Sequence, residues 1–224
     1  MPGRMWMIIT VELCLFGVLL FASAGDFAWP DAWVFLILFA ASAYPMAIVL
    51  SRHDPDMMKE RGRSPIQPDQ PHWDKIAIIV LLVLFLLLFV AAGFDRRFGW
   101  SQIPFALKVG AGITMLVAFW LTYRVMRFNS YLVTVVRIQH ERDQTVVTTG
   151  PYAIVRHPFY ATVGLAVAAI AVLLGSLWSL AIAGLIVLTF ALRCVREEHH
   201  LAAGLKGYTD YMEAVRFRLV PGVW

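Results

Sequence analysis

The chain has 224 residues, of which 60% are hydrophobic and 15% charged, with a mean hydropathy of +0.70; a soluble domain carries about 25% charged residues. This balance excludes a soluble globular enzyme and predicts an all-α polytopic membrane protein. The net charge of +4 is no argument for a nucleic-acid partner, because the basic residues collect in polar loops, where they act as a topology signal. Cys14 and Cys194 lie far apart in apolar surroundings, which excludes a disulfide framework and a metal motif.

Six apolar segments follow in chain order: 5–24, 32–50, 76–94, 103–123, 159–174 and 177–192. The first four are long enough to cross a hydrocarbon core, which takes about 20 helical residues. The last two are shorter and meet at Gly175-Ser176, so they predict a tight C-terminal helical hairpin and leave five to six transmembrane helices. Arg4, the apolar run and Ala22-Ser23-Ala24 resemble a signal peptide, but the run is too long for a typical h-region and is expected to stay as a span. Between segments two and three, the polar stretch 51–75 carries Pro55, Pro65, Pro68 and Pro71 and reads as extended or turning chain. Between segments four and five, 129–149 contains β-branched runs that suit short strands or a covering loop.

If all six segments cross, sixteen lysines and arginines fall on the side that holds both termini. Three fall on the other: Arg96, Arg97 and Lys108. The bias places the termini, the 51–75 loop and the 129–158 stretch in the cytoplasm.

That side carries two chemistry-bearing stretches. The first is "GPYAIVRHPFY", Gly150 to Tyr160. Gly150-Pro151 makes a turn. Pro158 steers His157 away from helix and suits a first helical turn. A helix therefore starts here, with free N–H groups that favour an anion. Tyr152, Arg156, His157 and Tyr160 are delivered beside it. The competing reading is a plain interfacial anchor, since aromatic residues and arginines are common at that depth.

The second stretch is "LRCVREEHHL", Leu192 to Leu201. On a helix, Arg193 and Glu197 share a face. His200 follows on a similar face, and Arg196 and Glu198 turn away. The competing reading is a surface ion pair, although Arg before Glu is the poorer order for helix stability. Joined by a short hairpin, the two stretches suit a zwitterionic cofactor and a lipophilic substrate.

With "YTDYMEAVRFRLVP" near the end of the chain, these stretches resemble the isoprenylcysteine carboxyl methyltransferases, in particular their bacterial relatives. Phospholipid N-methyltransferases are similar but more distant. The resemblance covers residues 129–224, and "SRHDPDMMKERG…HWDKI" is loosely similar to the bacterial group. It implies one integrated membrane domain, with N-terminal spans in 1–128 and a methyltransferase-like cofactor-binding region in 129–224. It also implies a bacterial inner membrane, a prenylated or other lipophilic acceptor, and S-adenosylmethionine bound at the cytoplasmic face. By the family's pattern the cofactor is held by Gln144, Thr145, Val146 and Val147, by Tyr152, by His157, Pro158, Phe159 and Tyr160, and by Glu197, with Gln139 further upstream. Arg193 takes the acceptor; it and Glu197 stand closest to the chemistry. The chain departs from the pattern at "GLKG" before Tyr208, where the family carries Phe-Gly, and at Gln144, where no histidine is present.

A carboxylate acceptor is already ionised at neutral pH and needs only a cation such as Arg193 to orient it. An amine or phenol needs a base, for which Glu198, His199 and His200 are candidates. Elsewhere, Glu12 sits inside the first apolar segment, where a carboxylate is costly. Lys108 is placed to snorkel. His53 and His72 lack ligand spacing. Asn129 either caps the fourth segment or touches the cofactor. Two other functions compete: an NADPH-dependent membrane reductase of the sterol-reductase type, which shares an Arg-His-Pro segment, and a non-enzymatic transporter or scaffold.

Overall fold

The computed structural model describes residues 2–224, and every described regular element is helical. The helices are α1 (Pro2–Ala24), α2 (Pro30–His53), α3 (Pro55–Arg61), α4 (His72–Phe98), α5 (Phe105–Phe128), α6 (Pro158–Leu173), α7 (Leu177–Gly204) and α8 (Tyr208–Ala214). Five of them, α1, α2, α4, α5 and α7, are long and apolar enough to cross a membrane. Their outer faces present Val18, Ile37, Ile113 and Leu188, each more than half exposed. Patches of that kind need an apolar surrounding.

The bundle packs α1 against α2 and α4, α4 against α7, and α5 against α2 and α6. Its centre is aromatic: Phe16 and Phe89 stack with ring centroids 4.3 Å apart, and Phe35 and Phe39 close around them. The α1–α4 crossing depends on Gly93, where a Cβ would fall 1.8 Å from Ser23 Oγ. Any side chain there pushes the two helices apart.

The hairpin α6–α7 spans the bundle. Asp95, near the end of α4, accepts from the Ser176 hydroxyl at 2.6 Å and from the Ser101 hydroxyl at 2.7 Å. The α6–α7 turn therefore reaches the same pole as the α4–α5 turn. Lys108 also lies at this pole. It does not snorkel free; its ammonium pairs with Asp31 of α2, as Arg96 does with Asp26 at 3.1 Å.

The 16 residues of α6 give a helix of about 24 Å, short of the roughly 30 Å core. Its N-terminus is therefore set back from the pole that the last turns of α7 reach. The 28 residues of α7 reach about 42 Å, so its last three turns rise past the start of α6. This difference in length makes the recess that holds the candidate site.

One loop expectation changes, and for the other loop one of the two readings holds. The 51–75 stretch contains a helix, α3. Asp54 and Pro55 form an N-cap and first-turn pair: the Asp54 carboxylate accepts from Met57 N at 2.9 Å, and proline needs no donor there. The 129–149 stretch forms no strand among the described residues. It is a covering loop with one 3₁₀ turn, His140–Arg142, laid over the recess.

Candidate active site

Gly150 opens the first stretch with φ +61, and a Cβ there would meet the Phe128 ring at 2.5 Å. Position and conformation both demand glycine. The 3₁₀ turn Gly150–Ala153 follows and buries Tyr152. Arg156, delivered beside the start of α6 as its position in the sequence predicts, is a buried clamp. Its Nε donates to Glu198 Oε1 at 2.6 Å, and its Nη1 donates to the carbonyls of Val215 and Arg216 at 2.7 and 3.1 Å, just beyond the C-terminus of α8, where carbonyls lack partners. The backbone N–H groups of Arg156 and His157 donate to Phe217 O and Arg218 O, both at 2.9 Å.

Glu198 joins the two stretches. It is 2% exposed and receives Arg156, Arg218 Nε at 2.8 Å, and His157 Nε2 at 3.2 Å. It is turned away from the Arg193–Glu197 face, as its helical position predicts. With three partners and no place on the cavity wall, it is not a free base. His199 and His200 are also off the wall.

Arg193 and Glu197 make no ion pair with each other among the described residues; each is held separately. Arg193, 5% exposed, donates from Nε to Asp74 Oδ1 and from Nη2 to Thr134 O, both at 2.8 Å. Its guanidinium lies 5.5 Å above the Tyr160 ring. Asp74, in the first turn of α4, is fully buried and also accepts from Gln70 Nε2 at 2.6 Å and Val136 N at 2.9 Å. Glu197 Oε2 accepts from the Tyr160 hydroxyl at 2.6 Å. The rings of His157, Tyr160 and Phe190 stack in series, with centroids 5.7 and 4.9 Å apart.

These groups line a cavity of about 310 Å³, at the small end of the range for ligand sites. One part of the wall carries the polar groups, Gln144, Thr145, Tyr152, His157, Arg193, Glu197 and Asn129, with Val146 and Val147 of the covering loop beside them. The other is apolar and comes from the helices of the bundle: Ile78, Leu81, Leu82 and Phe85 of α4, Val163 of α6 and Phe190 of α7. Phe159 and Tyr160 stand between them. Tyr208 and Tyr211 close the tail side.

The Tyr152 hydroxyl is buried without a hydrogen-bond partner, although Asn129 stands beside it. Burial pushes its phenol well above the usual range, so it remains a neutral donor. An unpaired buried hydroxyl costs roughly 1–3 kcal/mol, which a polar ligand relieves.

Of the residues anticipated from the sequence, Gln144, Thr145, Val146, Val147, Tyr152, His157, Phe159, Tyr160, Arg193 and Glu197 all line this cavity. Gln139 and Pro158 do not. Gln139 is fully buried in the loop, where its Nε2 donates to Tyr131 O and its Oε1 accepts from Arg142 Nη1. Pro158 is the first residue of α6. Asn129 both ends α5 and lines the cavity.

Asp74 and Arg61 were missed. An aspartate in the first turn of a helix reads as a dipole partner, and nothing local announces a partner on α7. Arg61 reads as one of many loop cations.

A model of the phospholipid methyltransferase family matches residues 107–206, less than half of the chain. The match takes in α5, the covering loop, α6 and α7. It leaves out Arg61, Asp74 and the tail. Comparison with curated proteins finds no match.

Proposed function

We propose that this protein is a membrane methyltransferase that uses S-adenosylmethionine to methylate a lipophilic, carboxylate-bearing acceptor at the cytoplasmic face. The observation that carries this reading is one cavity with a polar wall, an unpartnered Tyr152 hydroxyl and an apolar wall made by spanning helices. The similarity to phospholipid methyltransferases over 107–206 supports it.

The residues present fit the cofactor. Glu197 spends one oxygen on Tyr160 and keeps the other as an acceptor for an amine or ribose hydroxyl. Tyr152 supplies the unused donor, and the covering loop at Gln144, Thr145, Val146 and Val147 supplies backbone groups and a wall for a base. When bound, S-adenosylmethionine supplies a methyl group on a sulfonium, open to attack from the side opposite sulfur.

The protein's contribution is positioning and exclusion of water. Arg193 is locked by Asp74 and Thr134, so its remaining Nη1 has one direction in which to orient an acceptor carboxylate. The His157–Tyr160–Phe190 stack seals the space between the polar and apolar walls. A carboxylate acceptor carries no proton to remove at neutral pH. The family match favours a second reading, an amine-bearing phospholipid. That acceptor must lose a proton, and His157, held through Nε2 by Glu198, is the group on the wall that takes it.

Calorimetric titration of the purified protein in detergent with S-adenosylmethionine, and separately with NADPH, tests the reading. Binding of the first alone is expected, with Glu197→Gln weakening it at least tenfold while the unfolding profile stays unchanged. Binding of NADPH alone would replace the proposal with a reductase, and binding of neither by folded protein would leave a non-enzymatic role. Transfer of labelled methyl to a prenylated thioether acid, against vesicles of phosphatidylethanolamine, separates the two acceptors.

A further inference from the structure

Four arginines line the cavity: Arg61, Arg137, Arg156 and Arg193. Three are already paired. Arg137 holds Glu60 at 3.0 Å and Glu141 at 2.7 Å, Arg156 holds Glu198, and Arg193 holds Asp74. Arg61, the last residue of α3, makes no ion pair among the described residues.

Among the described residues its one hydrogen bond is from Nη1 to Leu132 O at 3.3 Å, beyond the normal range for N–H···O. Its guanidinium lies 5.1 Å above the Phe159 ring, which fixes the plane of the group without neutralising it. Burial pulls its pKa down, and Tyr152, Glu12 and Tyr160 are near enough to act on its charge; Glu12 of α1 still forms no ion pair with it. An arginine keeps its charge even so. The site therefore holds a partly buried cation whose Nε and Nη2 make no hydrogen bond among the described residues. A cation partly withdrawn from water and without a carboxylate partner gains from pairing with an anion. The Nε–Nη2 edge matches a planar or tetrahedral oxyanion with two donors.

We propose that Arg61 binds the oxyanion, phosphate or carboxylate, of the lipid-borne acceptor whose apolar chain lies along the α4 wall. The identification of that lipid as the methyl acceptor rests on the methyltransferase reading; the oxyanion site does not. Charge complementarity favours this assignment. Among the described residues Glu197 is the acidic side chain on the cavity wall and suits the cationic cofactor, while Arg61 is the cavity arginine that no carboxylate neutralises. A lipid source is favoured over a free ion because Ile78, Leu81, Leu82 and Phe85 extend the same cavity into the bundle.

The test is titration of the detergent-solubilised protein with dodecyl phosphate, inorganic phosphate and dodecyltrimethylammonium, alongside S-adenosylmethionine. The wild type should bind dodecyl phosphate and neither of the other two probes. Arg61→Gln should weaken dodecyl phosphate at least tenfold, Arg61→Lys should recover part of the loss, and both variants should bind S-adenosylmethionine as the wild type does. Wild-type affinity for dodecyl phosphate in Arg61→Gln would overturn the site. Equal binding of dodecyltrimethylammonium by the wild type, which needs no variant to fold, would also overturn it. Inorganic phosphate binding as tightly as dodecyl phosphate would overturn the lipid source. Loss of S-adenosylmethionine binding from the wild type, with Arg61-dependent dodecyl phosphate binding intact, would sink the methyltransferase reading and leave the oxyanion site standing.

Discussion

Asp74 and Arg193 form the most deeply buried ion pair at the site, with side chains 0% and 5% exposed. Removing one member of such a pair strands a charge, at a cost of about 3–5 kcal/mol, whereas replacing both with apolar groups is often neutral. Arg193→Met and Asp74→Leu should each destabilise the protein on that scale in denaturant titration, and the double variant should recover most of the loss. Additive losses would show that the two residues act independently. The pairing also limits what Arg193→Ala can report. A fall in acceptor use would be mixed with the cost of an orphaned Asp74, so the double variant is the proper background for testing Arg193 as an acceptor ligand.

The tail element, α8 with residues 215–219, is held to the site by Arg156, Glu198 and two tyrosines. The Tyr211 hydroxyl donates to Tyr152 O at 2.8 Å, and Tyr208 and Tyr211 are both buried. Burial raises both phenols above the ordinary value of 10.0. The neutral phenols therefore contribute stability that is complete below about pH 10, the unfolded-state value. That contribution is lost as pH rises toward their higher folded-state values. Alkaline titration should release the tail early, read as a change in Trp224 fluorescence, since Arg218 lies 5.1 Å from that ring. Tyr208→Phe should move the midpoint to higher pH; an unmoved midpoint would mean that the phenol plays no part. The Asp54-Pro55 cap gives the same lesson for α3: a proline-rich loop became a helix because its first proline follows a capping aspartate, and that helix carries Arg61 to the cavity.

Across the whole molecule, the two poles differ in purpose. The pole with the α4–α5 and α6–α7 turns is sealed by Asp95, Ser101, Ser176, Lys108 and Asp31, while the other holds the cavity, the covering loop and the tail. The distribution of lysine and arginine predicts that the cavity pole faces the cytoplasm. A reporter fused after Trp224 should be active only in the cytoplasm, and one inserted in the 99–104 turn only on the opposite side. The reverse pattern would invert the proposed topology. The length difference between α6 and α7 then sets the cavity back from the cytoplasmic end of the bundle, with a polar wall on one side and an apolar wall on the other.

The sequence by itself determined the spanning helices, the charge asymmetry between the poles and the two stretches that bring Tyr152, His157, Tyr160, Arg193 and Glu197 to the cavity. Hydropathy, helical spacing and the Gly150-Pro151 and Pro158 signals act within a few residues, and a local pattern is enough to express them. It did not determine which charges are free. Arg193 meets its carboxylate across 119 residues and Arg156 across 42, and no spacing rule reaches that far. Only the packing of α4 against α7, and of the tail against the start of α6, decided that these two arginines are held by carboxylates and that Arg61, on a helix the loop composition concealed, makes no ion pair among the described residues.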